Sequence, residues 1–306
     1  MKTALIIPTW NAEPWLPELL KALSNLDPKP DRILFIDSSS ADRTREMIES
    51  VGFDLHQIPK EEFGHGKTRN LGARLNENAD ILIYMTQDAI PAQSDLIAPM
   101  LSFFEKDPKT AIVFGRQLPH DDANVAAQYA RLQNYPAHDY VNRMEDKDTR
   151  GIKTFFCSNS FAAYRAAALQ EAGGFPEDLP LAEDMAVCAR LLEKGYKSQY
   201  SATSQVKHSH NYTPYQDLTR YFDIGAFLKV DPWFKSRNIK SSGEGLKFVL
   251  GEFKYTFKNG SLMDCIMIVP HTLAKFVGFK LGEHFRRLPK SALRKLSMHS
   301  YYWENL

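Results

Sequence analysis

Five groups of residues in this chain have types and spacings that can do chemistry. Asp37 and Asp88 each follow a short apolar run, RILFI at 32–36 and ILIYM at 81–85. A carboxylate at the carboxyl end of a buried strand faces the crevice where open α/β sheets hold ligands, and packing rarely requires it there. Asp37, leading Ser38, Ser39 and Ser40, can accept a hydrogen bond from a base N–H or a ribose hydroxyl, or can simply start the next helix. Asp88, in Thr86-Gln87-Asp88, offers the oxygen ligand that Mg2+ or Mn2+ prefers, or is a turn acid ahead of Pro91. Glu183 and Asp184 open a helical segment, where acids answer the helix dipole and where one of them can take a proton from an attacking hydroxyl. His208 and His210 stand two apart, so on a strand they share a face and can complete a metal site or donate to a phosphate. Finally, the stretch from Phe63 to Asn70 (FGHGKTRN) is a glycine loop running into a helix with Lys67 and Arg69 at its start. That suits a diphosphate, although it lacks the Walker spacing, and the plainer reading is a loop with solvated charges.

These groups must be positioned by regular elements. Apolar runs at 3–8, 32–36, 54–58, 81–85 and 110–114 predict buried strands. Between them, apolar residues at helical spacing predict helices at 13–26, about 42–50, 67–78 and 92–105. Further on, helices are expected at 123–134, 165–172 and 183–194, and a short strand near 197–201. Residues 135–150 read as a polar loop, and the pattern from 214 onward is helical, basic and aromatic. Strands alternating with helices predict an α/β fold with a mostly parallel central sheet flanked by helices. No internal repeat or low-complexity segment interrupts it.

Composition narrows the class. With 306 residues, 43% hydrophobic and 25% charged, the chain is ordinary globular material with room for a large core. The net charge of +1 is segregated: residues 237–306 hold 12 Lys/Arg against 5 Asp/Glu, and the rest 26 against 32. Two surfaces with different partners are therefore expected. Cys157, Cys188 and Cys265 form no disulfide framework or zinc pattern, which fits a reducing compartment. The first residues read as a strand rather than a secretory signal. The best spanning candidate, 262–281, contains Asp264, Pro270, His271, Lys275 and Lys280. A cytoplasmic chain, in contact with a membrane only at its surface, is expected.

Taken in order, the pieces resemble the family 2 inverting glycosyltransferases with a GT-A fold, over roughly residues 3–210. The resemblance runs through Ile7-Pro8-Thr9-Trp10-Asn11, Ile36 to Asp42, Thr68 to Ala73, Gly173-Gly174-Phe175, Glu183-Asp184, Gly195-Tyr196 and Val206-Lys207-His208. It implies a Rossmann-like catalytic domain at 1–212, with the nucleotide sugar on 1–115 and the acceptor on 116–212, and a helical extension at 213–306. It implies Asp184 as catalytic base and Asp37 as the acid that reads the pyrimidine, with Pro8 and Thr9 beside the base. Asn11, Ser39, Lys67 and Gln87 belong with this donor side, and Arg69 is a base or diphosphate contact. Asp88 matches the last acid of the family's Asp-x-Asp metal motif for Mg2+ or Mn2+, and His208 the late histidine near metal and diphosphate. The motif's first acid is Thr86 here, so either His208 or His210 assists Asp88 or metal binding is weak. The variants FGHGKTRN and Thr86-Gln87-Asp88-Ala89 resemble bacterial rhamnosyltransferases of O-antigen and related polysaccharide assembly. The implied donor is dTDP-β-L-rhamnose, and the implied acceptor a saccharide, in particular a lipid-linked oligosaccharide. A UDP-sugar donor is the alternative.

Within 243–290, lysines and arginines interleave with phenylalanines and a tyrosine. A basic amphipathic helix on an anionic membrane is favoured over helices with a merely solvated basic face. Nothing matches a nucleic-acid recognition motif, so no nucleic-acid partner is expected. A nucleotidyltransferase would want an N-terminal glycine-rich signature, and residues 7–13 (IPTWNAE) contain no glycine. A non-catalytic nucleotide-sugar-binding protein is disfavoured by the intact Glu183-Asp184 pair.

Overall fold

The computed structural model describes residues 1–237 and 244–304. The start of the expected basic stretch, residue 243, lies outside the described residues. The first half alternates strand and helix: β1 (Thr3–Thr9), α1 (Leu16–Ser24), β2 (Arg32–Asp37), α2 (Thr44–Ser50), β3 (Asp54–Gln57), α3 (His65–Arg74) and β4 (Ile81–Met85). β5 (Ile90–Pro91), α4 (Ile97–Lys106), β6 (Thr110–Leu118), α5 (Val125–Asn134), β7 (Tyr140–Asn142) and α6 (Lys147–Arg150) follow. β8 (Phe161–Arg165), α7 (Ala166–Glu171), α8 (Glu183–Glu193) and β9 (Lys197–Lys207) complete the sheet region.

The nine strands among the described residues join one sheet in the order β3-β2-β1-β4-β8-β6-β9-β5, with β7 added on β9. From β3 to β4 every pairing is parallel, as expected for strands joined by helical crossovers. β8 runs antiparallel to both β4 and β6, and β5 and β7 are antiparallel to β9, so the second half is mixed rather than parallel. Continuous apolar runs make sense of the central strands because both faces are covered. Ala4, Ile6, Leu34 and Ile36 enter the core on one side, while Leu5, Ile7, Ile33 and Phe35 enter the core on the other.

Two expectations about length change. The polar stretch 135–150 contains β7, held because Tyr140 stacks on Tyr200 of β9 at 4.7 Å. β9 does not stop near 201 but continues to Lys207, passing a register shift opposite Gly115/Arg116. A bulge lets a polar strand (SATSQVK) stay paired where hydrophobic pattern alone predicts an end.

The C-terminal region is helical: α9 (Pro214–Val230), α10 (Pro232–Arg237), α11 (Glu244–Asn259), α12 (Leu262–Glu283), α13 (Lys290–Leu296) and α14 (Ser300–Glu304). α9 begins on a Thr213/Gln216 capping box with Pro214 in its first turn. α12 lies against α9 through glycines: a Cβ on Gly278 would sit 2.2 Å from Leu218 O, and one on Gly282 2.0 Å from Phe222 O. Only glycine permits backbones that close. α12 is long and apolar enough, by length and composition alone, to cross a membrane.

Candidate functional site

Sheet register builds the first half of the site. β5 pairs with β9 antiparallel, Ile90 opposite Lys207, so the residues just before Ile90 and just after Lys207 converge. His208 N–H continues the β6 ladder by donating to Leu118 O at 2.8 Å. Asp88 Oδ2 consequently stands 3.4 Å from His208 Nε2 and 3.6 Å from His210 Nε2. The two histidines sit beyond the end of β9 rather than on it, with rings 4.8 Å apart at 85°, yet both reach one carboxylate.

The tautomer of His208 follows from its other nitrogen. Nδ1 lies 2.8 Å from Gln117 Oε1, an oxygen that Arg131 also donates to, while Gln117 Nε2 donates to Ser158. With its oxygen so identified, Gln117 can only accept, so His208 Nδ1 carries the proton and Nε2 presents a lone pair. Burial lowers the pKa of His208 and holds His210 down to about 3, so both are neutral at pH 7. Burial works against Asp88's charge, but the carboxyl still stays below its usual range and is ionised at pH 7. A carboxylate oxygen and an imidazole lone pair thus face each other, an arrangement that a cation between them resolves. Asp88, His208 and His210 place ligand atoms within 4.8 Å of one another and fit a divalent cation; oxygen plus imidazole suits Mn2+ better than Mg2+.

The second half of the site is an acid pair at the start of α8. Ala182, just before it, holds a left-handed backbone at φ 63°, strain of the kind that clusters at functional sites. Glu183 is 5% exposed and pairs with Arg69 at 3.0 Å. Burial opposes the charge of Glu183, yet Arg69, His65 and Asn159 hold its pKa down. Asp184 accepts from Met185 N–H at 2.7 Å and Asn159 N–H at 3.0 Å. Burial, reinforced by the charge of Glu183, pushes the Asp184 carboxyl up to about 7. A carboxylate poised near neutrality, beside one that stays ionised, has the properties of a general base.

Asn159 ties this pair together, and no local signal in the sequence marks it. Its N–H serves Asp184, its amide donates to Glu183 at 2.9 Å, and its carbonyl accepts from Tyr164 at 2.7 Å. Its neighbour Ser158 accepts from Gln117, which also orients His208, so the acid pair and the Asp88 cluster share one hydrogen-bonded frame.

The expected donor residues lie at the carboxyl ends of β1, β2 and β4. Asp37 is fully buried, and both its oxygens are taken by Ser40, one by the hydroxyl and one by the backbone N–H at 3.0 Å. Its observed work is therefore to shape the loop after β2. Asn11 and Ser39 are exposed with φ of 47° and 58°, and Asn11 accepts from Ala41 N–H at 2.9 Å. Thr9 is buried and Pro8 half-buried beside them, while Ser38 Oγ is buried without a hydrogen-bond partner. Gln87 clamps the Trp10 backbone, accepting at 2.8 Å and donating at 3.2 Å, so it too supports the loop.

The glycine stretch turns out differently from an open diphosphate loop. Gly66 is packed so that a Cβ would lie 2.0 Å from Pro176 O. Arg69 points inward, 5% exposed, against Glu183, while Lys67 stays exposed in the first turn of α3. His65, in that same turn, meets His299 of the C-terminal region at 4.8 Å, and Phe63 meets Tyr301 at 5.9 Å.

Sequence reasoning also missed Arg220 on α9. Its guanidinium lies 5.8 Å from the Tyr212 ring, which stacks on His210 at 5.0 Å, and its charge bears on His65, His210 and His299. Among the described residues it makes no ion pair. A half-buried arginine whose charge is felt both at Asp184 and at His210, and which makes no ion pair among the described residues, is a cation available to an anionic ligand.

A parallel first half, a reversed β8 and acids at the strand ends define the GT-A class of glycosyltransferase. Mannosyltransferase PcManGT from Pyrobaculum calidifontis, solved with GDP-Man and Mn2+, shares the fold at TM-score 0.61, with 15% identity over 93% of this chain and 86% of that one. TarS 1–349 of S. aureus in complex with UDP aligns at TM-score 0.52, with 15% identity over 94% and 91% of the two chains. The description Glycosyl transferase family 2 matches residues 4–173, and the chain belongs to that family. It is 43% identical to O-antigen chain rhamnosyltransferase RfbN of Salmonella typhimurium, over 100% of this chain and 97% of the relative. WbaN of Salmonella anatum, another O-antigen chain rhamnosyltransferase, is 42% identical over 99% and 96%. The protein is a glycosyltransferase.

Proposed function

We propose that this enzyme transfers L-rhamnose from dTDP-β-L-rhamnose to a lipid-linked saccharide on the cytoplasmic face of a membrane, with inversion at the anomeric carbon. The observation that carries the donor assignment is the 43% identity to an O-antigen chain rhamnosyltransferase along the whole of this chain. In this reading an acceptor hydroxyl oxygen attacks the anomeric carbon while the bond to the dTDP oxygen breaks. The proton of that hydroxyl passes to Asp184, and the bonding electron pair leaves with the diphosphate. Asn159 orients Asp184 through its N–H, while burial and then the charge of Glu183 raise its pKa to about 7. Asp88, His208 and His210 would hold Mn2+ or Mg2+, which would supply positive charge to the departing diphosphate. Arg220 adds a second positive charge for the diphosphate. Pro8, Thr9, Asn11 and Ser39 form the wall for the nucleoside, with Asp37 and Gln87 shaping its loops and Lys67 at the rim. Arg69 acts through Glu183 instead of on the donor. We take 1–212 as the catalytic unit and 213–306 as the region that completes the site through Arg220 and His299.

The test is a panel of nucleotide sugars assayed for transfer and hydrolysis, with Mn2+, with Mg2+ and with chelator. Turnover of dTDP-rhamnose above all others, raised by a divalent ion, supports the reading. Preference for a UDP-sugar overturns the donor, and turnover indifferent to chelator overturns the metal.

A further inference from the structure

Among the described residues, most of the exposed large apolar side chains lie on α11 and α12. Along α12, Leu262, Ile266, Val269, Leu273 and Phe276 recur every three or four residues, and each is 54–79% exposed. On α11, Leu246, Leu250, Phe253 and Phe257 do the same, at 50–77% exposed. Such stripes normally face a core, but here they point outward. The inward faces are already used: α12 packs its glycines on α9, and His271 meets Asp217 at 2.6 Å. On α11, Phe248 and Tyr255 pack on Tyr129 of α5 at 5.0 and 5.6 Å, with Glu252 and Thr256 buried. The two stripes meet where α11 turns into α12, around a groove lined by Phe253, Phe257, Leu262 and Ile266.

We infer that the outer face of this helical hairpin lies in the headgroup boundary of an anionic bilayer, its apolar stripes inserted and its lysines among the lipid phosphates. Lys247, Lys254 and Lys258 are exposed and project, by helical angle, along one edge of the α11 stripe. They belong to the segment carrying 12 basic against 5 acidic residues. That pairing of apolar face and basic edge matches an anionic lipid surface. Self-association across a two-fold axis would instead bring like-charged regions together. Spanning is excluded by the other side of α12, whose glycine contacts and Asp217–His271 pair are committed to α9. The surface supplies a partner for the transferase reading, but does not depend on which sugar is moved.

The experiment uses the full chain with extruded vesicles of phosphatidylethanolamine and phosphatidylglycerol, and with phosphatidylcholine alone. Three proteins are compared: wild type, Phe257→Glu/Ile266→Glu and Lys254→Glu/Lys258→Glu. Wild type is expected to sediment with the anionic vesicles and to keep part of that binding at high salt. The stripe variant is expected to lose at least about tenfold in partitioning, while its circular dichroism and its thermal shift with dTDP stay those of wild type. The lysine variant should lose binding mainly at low salt. The inference is overturned if wild type ignores anionic vesicles or if the stripe variant binds them equally well. It is also overturned if wild type is a dimer that the stripe substitutions dissociate. A failed donor assignment would leave the vesicle result untouched.

Discussion

Replacing Asp184 with Asn should separate catalysis from stability. The carboxyl is lifted from 3.8 to about 7, chiefly by burial and next by Glu183. An acid whose pKa is higher folded than unfolded destabilises the fold above its unfolded pKa, and the penalty grows until the folded pKa is passed. Three units correspond to about 4 kcal/mol at pH 8, less what partial solvent contact screens. Asn removes that penalty but has one acceptor oxygen where Asp184 serves two N–H groups, a loss of about 1 kcal/mol. Asp184→Asn is therefore expected to raise stability by about 1–3 kcal/mol at pH 8, a few degrees in Tm, and to lower it slightly at pH 4, where the penalty has almost gone but the lost hydrogen bond remains. Transfer, measured as dTDP release dependent on acceptor, should fall about 10²–10⁴-fold, with dTDP binding by calorimetry unchanged. In wild type the transfer rate should fall about tenfold per pH unit below 7, as the base fills with its proton. Near-normal turnover by the variant would refute Asp184 as the base. Loss of dTDP binding in parallel with transfer would make it a donor ligand instead.

Three further outcomes follow from the same geometry. Glu183→Gln removes the second cause of the raised Asp184 pKa, so the acid limb of the rate profile should move to lower pH; an unmoved limb would show that burial alone sets it. His208→Ala should raise the Mn2+ concentration for half-maximal activity about 10–100-fold, as should Gln117→Leu more weakly by releasing the Nδ1 proton. Activity titrated with Mn2+ after chelation decides this, and an unchanged midpoint in both variants would remove the histidines from the metal site. Arg220→Ala should weaken dTDP binding and lower kcat, with Arg220→Lys recovering part of each; equal loss in both variants, with reduced Tm, would reassign Arg220 to packing.

Much of the frame was legible because its causes are local. Apolar runs of strand length alternating with helical spacing foretell β1 to β4, since both faces of those strands are buried. The placement of Asp88 after β4 and of Glu183-Asp184 at the start of α8 follows from the same periodicity. The histidine pair was visible as a pair, and Thr86 in the usual acid position left either a histidine to assist Asp88 or weak metal binding.

What the sequence left open depends on contacts between distant segments. The meeting of His208 with Asp88 needs β9 to extend through a bulge and pair with β5 in one register, and a shift of one residue would turn the side chains away. Arg69 reads as an exposed base on a loop until the 173–177 segment covers the start of α3 and leaves Glu183 as its partner. Asn159 and Arg220 carry no pattern of their own and reach the site only through the sheet order and the packing of α9. The stripes of α11 and α12 carry the spacing of core helices in the sequence. They face outward because glycines committed the opposite side of α12 to α9. Local hydrophobic spacing names the elements and their apolar faces, whereas partners are chosen by the competition among all those faces for burial, which is settled only when the whole chain is packed.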